Sequence, residues 1–178
     1  KNKKFDETSE TEKLGFLAFV CQEWEKAAQK FKELNSHVAI LRVGVVLGSQ
    51  GGAFKKMLLP FKLGLGGTIG SGNQYMSWIH LKDLVSLYVK AIEDNKFEGI
   101  INAVSPQVVT NREFTKSLAT SLNRPSFIPV PSLALKAMLG EMSEILLEGQ
   151  WVTPQKALDH KYKFEFETID SAFNNLVK

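Results

Sequence analysis

The chain has 178 residues, enough for one domain with a sizeable core, and its hydrophobic and charged fractions, 44% and 23%, are those of an ordinary globular protein. A net charge of +3, with no basic cluster interleaved with aromatics, argues against nucleic acid as a partner. The single cysteine, Cys21, excludes an internal disulfide and favours a reducing compartment; no apolar run reaches the roughly 18 residues of a membrane span and no signal peptide opens the chain, so the cytoplasm is the expected location.

The opening stretch KNKKFDETSE carries neither an initiator Met nor an apolar strand, and the chain is expected to start inside a longer protein. Lys1, Lys3 and Lys4 read as a solvated end. Leu17, Cys21, Trp24, Ala28 and Phe31 recur at three- and four-residue spacing and predict a helix with one apolar face. Ser9 and Glu12 are spaced for a capping box ahead of it, Gly15 weakens its first turn, and Asn35-Ser36 ends it. Residues 37–48, HVAILRVGVVLG, form a continuous run rich in Val and Ile, which predicts a strand buried on both faces of a parallel sheet. Helix followed by buried strand is the rhythm of a βαβ protein.

GGAFKKMLLPFKLG predicts a helix that Pro60 ends or kinks. YMSWI predicts one short strand. HLKDLVSLYVKAIED predicts a helix with Leu84, Leu87, Tyr88 and Ala91 on one face, and GIINAVS a second short strand. Thr110 and Glu113 form a capping box for a helix reaching about Leu122. Beyond Ser126 the texture changes. Pro125, Pro129 and Pro131 are followed by short helical pieces: SLALKAMLG, MSEILLEG, TPQKALDH with Pro154 at a first turn, and TIDSAFNNLV. The expected division is an α/β part over residues 1–125 and a small helical C-terminal cap over 126–178.

Residues 62–80, KLGLGGTIGSGNQYMSWIH, hold five of the 13 glycines. A glycine loop that cradles phosphates follows a strand and opens a helix. Here the glycines follow a helix and open a strand, and Ile69 stands where the third glycine of the fingerprint belongs. Turns with positive φ are the expected use. Gly48, Gly51, Gly52 and Lys55 likewise fail the Walker pattern, since no Gly-Lys-Ser/Thr is present.

Among the polar candidates, His80 sits between a strand and a helix beside Asp83 and is expected to make a structural hydrogen bond at the helix start. No His or Cys lies near it to build a metal site, and His37 and His160 stand in unrelated contexts. Arg42, in an apolar strand, requires an acidic partner. Cys21 on an apolar helix face reads as core, and Trp24, Trp78 and Trp151 as core anchors.

Two segments and their separation carry a resemblance. LRVGVVLG, residues 41–48, is similar to the LRxxNVYGP segment of the extended short-chain dehydrogenases/reductases. SWIHLKDLV, residues 77–85, is similar to their YIHVDDL segment. Together with ETSETEKLGFLAFVCQEWE, TNREFTKSLATSLNRP and the stretch from LGEMSEILLEG to TIDSAF, the chain resembles an atypical branch, the NAD(P)-dependent epimerase/dehydratase-like family whose members end in a domain of unknown function. It resembles only their C-terminal part. The implied fold is the C-terminal half of a Rossmann-type α/β domain with a helical cap, its partner being the N-terminal half of its own domain.

The resemblance implies NAD(P) in the intact parent, with the backbone at Gly44, Val45 and Val46 near the nicotinamide and Gln74 and Ser77 bordering the substrate pocket. It implies a small-molecule substrate; the oligomeric state, a homo-oligomer included, is left open. The superfamily carries Tyr-x-x-x-Lys on the helix before LRxxNVYGP, where i, i+4 spacing puts acid/base and supporting cation on one face. With Glu25 aligned to the acidic residue that follows, Leu17 and Cys21 take those positions, so no catalytic residue is assigned. Met76 stands where nucleotide-sugar epimerases often carry an Arg that pairs with the substrate diphosphate. Two readings follow: an oxidoreductase whose isolated C-terminal part is inactive, or a non-catalytic dinucleotide-sensing or partner-binding protein.

Overall fold

The structure is a computed structural model and describes residues 3–10, 15–127, 129–130 and 149–177. In chain order the elements are β1 (Lys4–Phe5), α1 (Gly15–Gln29) continued by a 3-10 turn (Lys30–Leu34), β2 (Ala39–Val43), β3 (Val45–Leu47), α2 (Gly52–Lys62), β4 (Tyr75–Met76), β5 (Trp78–His80), α3 (Leu81–Glu93), β6 (Gly99–Ala103), β7 (Val109–Thr110), α4 (Asn111–Ser121), β8 (Trp151–Val152), α5 (Gln155–Asp159) and α6 (Ile169–Leu176). No described helix is long and apolar enough to cross a membrane.

The apolar run 37–48 is two strands rather than one. β2 pairs in parallel with β6, and β3 pairs in parallel with β5. Gly44 is the switch between partners: its N–H donates to Ala103 C=O at 3.2 Å, while the next N–H, of Val45, donates to Ser77 C=O at 2.9 Å. A Cβ at Gly44 would lie 2.6 Å from the Ser77 carbonyl oxygen and 2.8 Å from Val104 Cγ1, so no side chain fits. YMSWI is likewise two strands. β4 pairs antiparallel with β7, and Ser77 separates it from β5.

Alternation along β5 divides the interior. Trp78 enters one cluster with Leu47, Phe54, Phe114 and Phe173, built mainly from α2, α4 and α6. Ile79 enters the other, with Leu87, Ile101, Ala157 and Phe164, beneath α3. Residues 149–177 contribute to both clusters. The Phe54 and Phe173 rings stack at 5.6 Å, and Phe114 meets Phe173 edge-on at 5.0 Å.

Polar groups fasten that C-terminal segment. The Asp83 carboxylate accepts the N–H groups of Glu165 and Phe166 at 2.7 and 3.0 Å. His80 caps α3, its Nδ1 accepting the Lys82 N–H at 3.1 Å, and its ring stacks on Phe166 at 3.8 Å. Burial pushes the His80 pKa down, against the pull of Asp83 and the side chain of Asn175, so the imidazole is held neutral. The expected capping box of α4 is present, with the Thr110 hydroxyl accepting from Glu113 N–H and the Glu113 carboxylate accepting from Thr110 N–H. Pro154 stands at the N-cap of α5 and Thr168 caps α6.

Several expectations are corrected. β2 is partly buried, not buried on both faces, with Val43 43% exposed. It is paired on one side only among the described residues. α1 forms, but none of its residues is buried. Cys21 is exposed and Trp24 is 71% exposed, so neither is core, whereas Trp78 is fully buried. Tyr88 is also exposed. Ser9 bonds to Asp6 instead, donating from its hydroxyl at 3.0 Å and accepting the Asp6 N–H at 2.9 Å; Glu12 lies outside the described residues. So do the helices expected in SLALKAMLG and MSEILLEG. α1 is tied to β2 through Arg42, whose guanidinium donates to both Glu25 carboxylate oxygens at 2.7 Å. This is the acidic partner that Arg42 required.

Three outcomes follow. Gly44→Ala is expected to lower unfolding stability by about 1–3 kcal/mol in denaturant titration, because the methyl must displace a strand carbonyl. Glu25→Gln is expected to speed amide exchange throughout α1 while leaving β6 unchanged. As for pH, the unfolded chain takes up a proton at His80 near 6.5, and the folded chain only at lower pH. Stability therefore falls as pH drops below about 6.5 and the loss continues down to the depressed folded pKa. In His80→Asn, which keeps a capping side chain, that part of the pH slope is expected to vanish from thermal melts.

Candidate functional site

A cleft of about 750 Å³ runs beneath α1 along β2 and ends at the Gly44 switch. Cys21, Trp24 and Glu25 line it from α1, Arg42 and Gly44 from the strand side, and Ser77 at the end. Arg42 and Glu25 pair across its floor, and Asp6 and Glu10 also line it. The two-pronged hydrogen bond to Glu25 raises the Arg42 pKa against the cost of burial, and Glu7 adds to that pull. Glu7 is itself engaged, accepting the Asn102 N–H at 2.9 Å and the Lys156 N–H at 3.3 Å.

The structure brings together only part of the expected site. Gly44 and Ser77 both border the cleft. Val45 and Val46 turn their side chains into opposite core clusters, and neither lines the cleft. Ser77 Oγ donates to Gln150 C=O at 2.8 Å and accepts the Val152 N–H at 3.1 Å, which holds the returning C-terminal segment against the end of the cleft. Gln74 does not line the cleft, and its Nε2 donates to Ile69 C=O at 3.0 Å.

The glycine-rich loop is committed to α4. Ile69 N–H donates to Asn111 Oδ1 at 2.8 Å, and Asn111 and Arg112 donate their N–H groups to the carbonyls of Gln74 and Gly72. Gly64, Gly70 and Gly72 have the positive φ expected of turns, at 74°, 56° and 71°. Met76 is buried in the core, its sulfur accepting from Asn111 Nδ2 at 3.4 Å. That position therefore points away from the cleft.

The titratable groups on the cleft are the carboxyls of Asp6, Glu10 and Glu25, the Cys21 thiol and Arg42. Cys21 lines the cleft and Leu17 does not. None of the three tyrosines, Tyr75, Tyr88 and Tyr162, lines it either. Tyr162 is elsewhere, its pKa pushed up to about 12 by burial and by Asp83, whose backbone carbonyl its hydroxyl meets at 3.2 Å. No group of His, Cys, Asp and Glu placed to hold a metal exists among the described residues. Two participants escaped sequence reasoning, Glu7 and Gln150. Glu7 acts on residues far along the chain, Gln150 contributes a carbonyl, and neither has a local signal.

Comparison with known proteins agrees with this architecture. The family described as a domain of unknown function, DUF1731, matches residues 130–176. The epimerase family protein SDR39U1 of Mus musculus is 43% identical over 176 residues, covering 98% of this chain and 60% of that protein. A crystal structure of the human epimerase family protein SDR39U1 (isoform 2) with NADPH superposes with a TM-score of 0.92 at 38% identity, covering 98% of this chain and 59% of that one. A dTDP-glucose 4,6-dehydratase from Bacillus anthracis in complex with NAD shares the fold, with a TM-score of 0.75 at 14% identity over 99% of this chain and 55% of its own. The chain thus spans about 60% of the length of the mouse relative. Over nearly its whole length the chain is similar to these epimerase family proteins, and what it matches there is their C-terminal part.

Proposed function

We propose that the chain forms the nicotinamide- and substrate-side part of an NAD(P)-dependent epimerase-family oxidoreductase, with the pyrophosphate of the cofactor held by the remainder of the larger protein. One observation carries the reading: the cleft ends at Gly44, where parallel strands change partners at their carboxyl ends, the position at which open α/β sheets receive ligands. The dinucleotide would supply hydride transfer. Gly44 would let its ring approach the backbone of Val45 and Val46, since any side chain there is excluded. Ser77 fixes the end of the pocket through Gln150 and Val152, and Gln74 braces the loop leading to it.

The proposed substrate is a small molecule without a diphosphate, because Met76 occupies the core where a diphosphate-binding Arg would stand. The proposed division is 1–125 for most of the sheet and the ligand-facing loops and 126–178 for the C-terminal part, of which the described residues 149–177 pack against the first. The proposed compartment, the cytoplasm, rests on the lone cysteine.

A second reading, a dinucleotide-sensing protein without catalysis, is favoured by Leu17 and Cys21 standing where Tyr and Lys would act. One experiment separates the two: NADPH oxidation by the full-length protein across a panel of carbonyl compounds. Turnover on any of them supports the enzyme; saturable binding with no turnover on any supports the sensor. The 178-residue chain alone is expected to show no saturable thermal shift with NADPH, and such a shift would contradict a pyrophosphate site outside it.

A further inference from the structure

Near the Gly44 end of the cleft one buried polar side chain is left half satisfied. The β2–β6 register sets Asn102 opposite Arg42, so both side chains leave the sheet on the same face, and the Arg42–Glu25 pair marks that face as the one beneath α1. Val104, two residues further along, reaches within 2.8 Å of where a Cβ at Gly44 would stand, so Asn102 lies one step from the switch. Asn102 is only 2% exposed, yet it lines the cleft. Its backbone N–H donates to Glu7 Oε1 at 2.9 Å and its Nδ2 to Thr153 C=O at 3.0 Å. Its Oδ1 accepts no hydrogen bond among the described residues.

The orientation of that amide is fixed. Turned over, it would lose the Nδ2 bond and set Oδ1 against the Thr153 carbonyl, acceptor against acceptor. Thr153 is itself held, donating its N–H and its hydroxyl to Phe5 C=O at 2.9 and 3.2 Å. Asn102 therefore presents an acceptor to the cleft, and a buried acceptor without a partner costs free energy until a donor meets it. The surrounding charge favours the same kind of ligand. Arg42 is paired with Glu25, while Asp6 and Glu10 add two further carboxyl groups to the lining. Asp6 Oδ1 accepts from the Thr8 N–H and hydroxyl at 2.9 and 2.7 Å and from the Ser9 hydroxyl at 3.0 Å, which holds this carboxyl below the usual range. Three carboxyl groups against one guanidinium leave the cleft negative and unsuited to an anion.

We propose that Asn102 determines substrate specificity: its Oδ1 accepts a hydrogen bond from a hydroxyl or ammonium group of the substrate, which is a neutral or cationic small molecule and not a carboxylate or phosphate. This rests on the reading of the cleft's end as the substrate side of an NAD(P)-dependent oxidoreductase, and it names the class of substrate taken there. The ligand supplies the donor that the fold withholds. An analogue without one leaves Oδ1 unpaired, and an anionic analogue meets the like charge of Asp6 and Glu10.

The test uses four ketones of similar size that differ in one group: hydroxyacetone, aminoacetone, 2-butanone and pyruvate. Their binding to the full-length protein is titrated by NMR, with and without NADP+, following the side-chain amide of Asn102, and NADPH binding is measured separately. Hydroxyacetone and aminoacetone are expected to bind about tenfold or more tightly than 2-butanone, to shift the Asn102 amide resonance, and pyruvate is expected to bind least. Asn102→Ala is expected to remove the advantage of hydroxyacetone while leaving 2-butanone unchanged. Asp6→Asn is expected to weaken aminoacetone severalfold and hydroxyacetone little. Should Asn102→Ala fail to fold, the ranking in the unaltered protein and the shift of the Asn102 resonance decide. Binding of 2-butanone or pyruvate as tight as that of hydroxyacetone, binding of none of the four, or a preference that survives Asn102→Ala overturns the proposal. The expected preference in a protein that does not bind NADPH supports the role of Asn102 and counts against the proposed function instead.

Discussion

The whole arrangement turns on one hydrogen bond and the space beside it. Val45 N–H reaches Ser77 C=O only because Gly44 carries no Cβ, and at that point the strand leaves β6 and joins β5. Two parallel ladders, β2–β6 and β3–β5, are thereby joined end to end. Alternation along β5 turns Trp78 and Ile79 to opposite faces of the sheet, each into its own cluster. The switch also leaves a notch at the carboxyl end of β2, which becomes the end of the cleft.

The C-terminal segment is bound into this framework rather than laid upon it. Asp83 takes two of its backbone N–H groups, Ser105 donates its hydroxyl to the carbonyls of Phe166 and Glu167, and Ser77 holds Gln150 and Val152. Each is a buried or half-buried polar group answering the backbone of a segment more than sixty residues away. Phe166 and Phe173 then fill space that α2 and α4 leave open. Stability of the sheet and the position of the cleft's end are therefore coupled through the same side chains.

What was legible in the sequence was local or periodic. The capping box at Thr110, the pairing need of Arg42, the cap at His80 and the turn glycines all announce themselves within a few residues. The orientation of the glycine-rich loop was legible for the same reason, since helix-then-strand order rules out a phosphate cradle. The failures share a different cause. The apolar spacing of Leu17, Cys21 and Trp24 correctly gives a helix with a face, but periodicity does not say whether anything in the same chain covers that face. Likewise HVAILRVGVVLG has the composition of a doubly covered strand, yet β2 is paired on one side only among the described residues. Gly44 reads as an ordinary glycine until Ser77 and Val104 are brought against it. Ser77 lines the cleft, and its bonds to Gln150 and Val152 depend on contacts that no spacing encodes.

The most direct measurement is a crystal structure of the full-length protein with bound NADPH. The nicotinamide carboxamide is predicted to lie within hydrogen-bond distance of the backbone at Gly44–Val46, with the pyrophosphate touching none of these 178 residues. A pyrophosphate held by the glycines of residues 64–72, or a nicotinamide remote from Gly44, would contradict it.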